Sequence, residues 1–211
     1  MSGQHPVGRI HYWLGVGRLS LLLLCIACSR QADLTPIPPG GVILAFGDSL
    51  TYGTGVAAEY SYPAVLESLS GRKVVRSGVP GEVSAEGLVR LKKVVADVKP
   101  ALVVLCLGGN DVLRRIPASR TEANLRSMIT LVRRAGVHVA LVAVPKFGIF
   151  PTSWDYYDRI AEELEVPVEF DVISDLERDA AMKSDQIHFN RQGYRIMAEA
   201  IHVLLKESGA L

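Results

Sequence analysis

Cysteine is scarce in this 211-residue chain, charge is balanced, and no apolar run is long enough to anchor it across a bilayer. Each shortage excludes something. Three cysteines, with no spacing that completes a four-ligand set, exclude a disulfide scaffold and a structural zinc site. Twenty-three Lys and Arg against 22 Asp and Glu leave a net charge of +1, which gives no electrostatic footprint for a nucleic-acid partner. The run Leu19–Ala27 spans nine residues, against the roughly 20 that a spanning helix needs, so a polytopic membrane protein is excluded. What the chain does have is a 49% apolar fraction, enough for a sizeable core in one domain.

The amino-terminal residues read as an address rather than as fold. Residues 1–18 carry Arg9 and Arg18 and no acid, and the apolar run to Ala27 follows, which suits an export signal over residues 1–27. Cys28, between Ala27 and Ser29, resembles the acylated cysteine of a bacterial lipoprotein, although Cys25 stands where that signal usually has Leu. Plain secretion and an uncleaved anchor are the alternatives. Residues 28–41, with Pro38, Pro39, Gly40 and Gly41, read as a tether, and residues 42–211 as the domain. The expectation is an envelope or periplasmic protein held to a membrane through a lipid on Cys28, or a secreted one without it.

Within the domain, apolar runs alternate with helical periodicity. Val42–Phe46, Lys73–Ser77, Ala101–Leu107, His138–Val144 and Val166–Phe170 read as strands. Leu88, Leu91, Val94 and Val95 follow a candidate N-cap at Ser84; Leu125, Met128, Ile129 and Val132 follow Thr121-Glu122; Tyr156, Ile160 and Leu164 mark a third helix. Ile196, Met197, Ala200, Ile201 and Leu204 mark a last helix opened by Asn190. The class is therefore α/β, with a five-stranded parallel sheet in flavodoxin-like order, covered on both faces as a three-layer α/β/α sandwich. Cys106, inside the third run, reads as a buried, inert thiol.

Ligands of such sheets bind beyond the carboxyl ends of the strands. Ser49 follows the first strand directly, in Gly47-Asp-Ser-Leu50; alone, such a pair is as readily a turn or helix cap. Gly81 follows the second strand and offers a backbone N–H with no side chain in the way. Asn110, in Gly108-Gly-Asn-Asp111 after the third, offers an amide donor or simply an Asx-turn. Asp185 and His188, three residues apart before the last helix, form either a surface pair or an oriented base. Together they make a complete set for acyl transfer: Ser49 as nucleophile, His188 as base, Asp185 as its orienting acid, and Gly81 N–H with Asn110 for the oxyanion.

These blocks, in this order from Val42 to Leu205, resemble the SGNH/GDSL hydrolase family. The spacing looks most like its small bacterial members, which are multifunctional thioesterases, arylesterases and lysophospholipases. The resemblance implies no metal and no organic cofactor, and adds the Ser49 N–H as a third oxyanion donor. Arg76, Val83 and Phe189 depart from common family residues, the first two near the Gly81 loop. The G-x-S-x-G elbow of α/β-hydrolases is absent around Ser49, and no G-x-G-x-x-G follows the first strand.

The expected activity is hydrolysis of a small-molecule acyl ester or thioester, with lysophospholipids or acyl esters near the membrane as sensible substrates for a tethered enzyme. An acetyl esterase of envelope carbohydrate is the alternative enzyme, and an envelope-binding lipoprotein on an inactive hydrolase fold the alternative from another class. Phe147, Ile149, Phe150 and Trp154, after the fourth strand, read as a lid over an acyl chain, with a core-packed loop or a membrane-facing patch as alternatives.

Overall fold

Two central strands buried on both faces organise the domain. In a computed structural model, which describes residues 1–2, 33–146 and 152–211, β1 (Ile43–Gly47) runs into a short helix α1 (Ser49–Tyr52), followed by α2 (Tyr62–Ser70). Then come β2 (Val74–Gly78), α3 (Ser84–Val98), β3 (Leu102–Cys106), α4 (Gly109–Leu113), α5 (Ala118–Arg134) and β4 (His138–Val142). A two-residue hairpin pair, β5 (Pro145–Lys146) and β6 (Thr152–Ser153), precedes α6 (Asp155–Leu164), β7 (Val168–Glu169), α7 (Val172–Arg178) and α8 (Arg191–Glu207).

The main sheet has the order β2-β1-β3-β4-β7 with every pairing parallel, which is the flavodoxin-like arrangement expected. Alternation along each strand sorts the core into two layers. Ile43, Ala45, Leu102, Val104, Ala140 and Val142 face α2, α7 and α8. Leu44, Phe46, Val103, Leu105, Val139 and Leu141 face α3, α5 and α6. The Cys106 thiol is buried, and desolvation holds its pKa well above the ordinary value.

All five strands of the main sheet fall within two residues of the expected runs, the fifth shortening at both ends to Val168–Glu169. Helix starts differ more. Ser84 is the first residue of α3 rather than its cap, because its backbone N–H and hydroxyl both turn to Asp111. Helix α5 begins at Ala118, directly after Pro117, one turn before Thr121. Asn190 caps α8 as expected, its side-chain oxygen accepting from the N–H groups of Gln192 and Gly193. The helices α1, α2, α4 and α7 were not legible; at four to nine residues, each is shorter than the stretch over which a helical repeat stands out.

The stretch read as a tether is docked over much of its length. Leu34 N–H donates to Ser208 O and Ile37 N–H to Ala210 O, and Ile37 is buried in the core. An apolar side chain at residue 37 finds cover against the C-terminal end, so the folded unit includes residues 34–41 and not only those from Val42. Residues Gln31–Leu211 form one compact unit that carries both core layers. The expected export signal and Cys28 lie outside the described residues.

Candidate active site

The sheet delivers its polar residues to one rim. Gly47 lies where β1 passes β3 so closely that an added Cβ would come 2.0 Å from Cys106 O, so only glycine fits. Asp48 then caps α1, its Oδ1 accepting from Leu50 N–H at 3.1 Å, and Ser49 is the first helical residue. Two tyrosines hold this turn from beneath: Tyr62 Oη lies 3.0 Å from Thr51 Oγ1, and Tyr194 Oη donates to Thr54 O at 2.9 Å.

His188 reaches Ser49 from the loop before α8. Its Nε2 lies 3.0 Å from Ser49 Oγ, and its Nδ1 lies 2.8 Å from Asp185 Oδ2. Asp185 wraps its own turn, Oδ1 accepting from the N–H groups of Ile187 and His188 at 2.8 Å each. Those backbone donors, first that of His188, and then the imidazole itself hold the Asp185 carboxyl down at about 2, although its side chain is 52% exposed. An ionised Asp185 accepting from Nδ1–H leaves Nε2 as the acceptor facing the serine hydroxyl. Phe189, fully buried and edge-on to Tyr194, roots the loop in the core.

Opposite Ser49, Gly81 takes a left-handed φ of +80°, and Arg114 Nη2 donates to its carbonyl at 2.7 Å. Asn110, on α4, donates both amide hydrogens: to Asp48 Oδ2 at 3.2 Å and to Glu82 O at 3.1 Å. Its neighbour Asp111 is buried and locks α4 to α3 and α5 by accepting from Ser84 N–H, Ser84 Oγ and Thr121 Oγ1. Burial pushes the Asp48 carboxyl up to about 7, against the opposing pull of Leu50 N–H, the His188 imidazole and Asn110.

Sequence reasoning missed the strut beneath the Gly81 loop. Arg90 of α3 pairs through two nitrogens with buried Glu82, at 2.6 and 2.7 Å. The same guanidinium donates to Ser77 Oγ, Ser77 O and Gly47 O, and lies 3.9 Å over the Phe46 ring. It thus joins the ends of β1 and β2 to the residue whose carbonyl holds Asn110. Arg76 donates to Tyr52 O and so supports α1 rather than the Gly81 loop. Val83 occupies the N-cap position of α3, its N–H donating to Glu86 Oε2.

A cleft of about 260 Å³ opens over Ser49, His188, Gly81 and Asn110. Leu50, Leu113, Val144, Ile173 and Ile187 make most of its wall apolar, and Glu177, paired with Lys183 at 2.6 Å, adds one charged position. The segments after β1, β3 and β4 and helix α7 supply this wall. Trp154 packs against Tyr156 and the core beneath α6, not over the cleft, as the core-packed alternative has it. Phe147, Ile149 and Phe150 lie outside the described residues. Among the described residues no group of His, Cys, Asp and Glu could hold a metal ion, and no helix is long and apolar enough to cross a membrane.

The sequence model of the GDSL-like lipase/acylhydrolase family matches residues 45–196. Esterase TesA of Pseudomonas aeruginosa is 32% identical over 146 residues, covering 65% of this chain and 72% of that protein. An arylesterase of Vibrio mimicus is 31% identical over 70% of this chain and 76% of its own length. The thioesterase 1/protease 1/lysophospholipase L1 of Escherichia coli is 29% identical over 74% and 79%. A crystal structure of TesA matches with a TM-score of 0.71 at 27% identity, over 79% of this chain and 99% of that one. The chain belongs to the GDSL-like lipase/acylhydrolase family and is a carboxylic ester hydrolase acting on small-molecule acyl esters.

Proposed function

We propose that, within this family, the chain hydrolyses short to medium acyl esters and thioesters with Ser49 as nucleophile. The observation that carries the reading is the bridging imidazole, 3.0 Å from the serine oxygen on one side and 2.8 Å from a carboxylate on the other. His188 Nε2 takes the Ser49 proton as Oγ bonds to the acyl carbon, and Asp185 stabilises the resulting imidazolium. The oxyanion is met by the N–H groups of Gly81 and Ser49 and by Asn110 Nδ2. Both amide hydrogens of Asn110 are engaged in the free enzyme, so the oxyanion takes over the long bond now made to Asp48. The tetrahedral intermediate collapses, the alcohol or thiol leaves with the proton from His188, and water repeats the cycle to release the acid and restore Ser49.

The cleft volume lies below the roughly 300–1,000 Å³ of drug-sized ligand sites, which favours shorter acyl groups. Its apolar wall favours an acyl chain over the acetyl group of a carbohydrate, for which a shallow polar crevice is expected. The same reading takes in the amino-terminal sequence: export to the cell envelope, with Cys28 acylated. Labelled palmitate carried by wild type and absent from Cys28→Ser tests that part.

Hydrolysis of p-nitrophenyl esters from acetate to palmitate tests the chemistry. Turnover that peaks at short or medium chains and vanishes in Ser49→Ala is expected. Turnover retained in Ser49→Ala overturns the assignment of the nucleophile, and a preference for palmitate overturns the chain-length reading.

A further inference from the structure

A concavity larger than the cleft lies at the other end of the sheet. A groove of about 1010 Å³ lies between α3 and α5, at the amino ends of the strands. Leu88, Val95, Leu131 and Val137 form its apolar floor. Its charged lining is entirely cationic: Lys92, Lys99, Arg126 and Arg134, with no carboxylate among the lining residues. Arg126 is committed to Glu122 and Glu163. Lys92, Lys99 and Arg134 are exposed and have no acidic partner among the described residues. This concentration is local, since from Gln31 onward the chain has 20 Lys and Arg against 22 Asp and Glu.

The chain also enters the domain at this end. Thr35 Oγ1 lies 2.5 Å from Nε2 of His138, the residue that follows groove-lining Val137. The apolar run that closes at Ala27, and Cys28 after it, stand a few residues before Leu34. Six residues of extended chain reach at most about 20 Å. A bilayer that held Cys28 would therefore lie within that reach of Leu34. Long basic side chains over an apolar floor match the surface of such a bilayer: methylene stems lie along the acyl boundary while the charged ends meet lipid phosphates.

We infer that the α3–α5 groove is a docking face for an anionic phospholipid surface, with Lys92, Lys99 and Arg134 as its contacts. The inference does not rest on the catalytic assignment. The test uses the compact unit from Gln31 to Leu211, which lacks the apolar leader. Its binding is measured by co-sedimentation with vesicles of phosphatidylglycerol and phosphatidylcholine, and with phosphatidylcholine alone.

Binding to the anionic vesicles only is expected, and it should weaken as added salt shortens the Debye length from about 10 to about 3 Å. Each basic residue near such a surface is worth about fivefold, so removing all three as Lys92→Gln/Lys99→Gln/Arg134→Gln should cost roughly a hundredfold. Ester turnover should stay at the wild-type level, which also shows that the variant is folded. A control, Arg115→Gln/Arg120→Gln/Arg195→Gln, removes equal charge at the opposite end of the sheet and should bind as wild type. No binding to anionic vesicles, or equal loss in the control, overturns the inference. So does self-association through the groove, or saturable uptake of monomeric fatty acid there without vesicle binding.

Discussion

The two ends of one sheet have been built to opposite specifications. At the carboxyl ends, a small cleft is crowded with hydrogen bonds that fix Ser49, His188 and Asn110. At the amino ends, a groove nearly four times as large has an apolar floor and four cations, of which only Arg126 is paired with carboxylates among the described residues. The first is pre-organised for one reacting group, and its affinity for anything else is incidental. The second has no fixed geometry to offer a small molecule and suits an extended surface. Size alone would point to the groove for catalysis; convergence of a candidate nucleophile, base and donors points to the cleft instead.

The contrast breaks most sharply at Ser49. Ser49→Ala should lower kcat by about 10⁴-fold or more, with the melting temperature little changed, since no core contact is lost. Arg90→Met should act instead on stability, by about 3–5 kcal/mol, because it leaves buried Glu82 charged and unpaired. Chemical denaturation reads that loss, and turnover should fall with it as the Gly81 loop loosens.

Asp48 gives a pH signature. Its carboxyl titrates at about 7 when folded and at 3.8 otherwise, so the folded form holds the proton more tightly. Its contribution to stability is complete below about pH 4 and is lost as pH rises to about 7, amounting to about 4 kcal/mol at 1.36 kcal/mol per unit. Unfolding midpoints of Asp48→Asn should lack that slope between pH 4 and 7. Asn110→Ala should cost about 10²–10³-fold in kcat, the usual loss of one oxyanion donor, with KM nearly unchanged. The smallest effect belongs to the groove: reversing Lys92 and Lys99 to Glu should leave ester turnover unaltered.

Legibility in the sequence follows the same division. The five strands were readable because burial on both faces gives continuous apolar runs, and Ser49, Gly81, Asn110, Asp185 and His188 because each directly follows a strand or precedes a helix. What escaped notice was carried by distant pairs. Nothing local announces that Arg90 on α3 reaches Gly47 and Ser77, or that Asp48 shares an amide with Asn110, since these partners lie tens of residues apart. Ser84 was misplaced for the same reason: a serine opening a helix looks like a cap until a buried aspartate from another block claims it. The docked segment at Leu34–Ile37 was hidden by the prolines and glycines that follow it.

Because all five strands of the main sheet point one way, the molecule has a head and a tail. Five residues of strand separate them by about 16 Å before any loop is added. An enzyme resting on its tail holds its cleft away from the surface beneath it. Lipids of that same leaflet are then out of reach, and the esters it meets arrive through the aqueous space or from a facing layer.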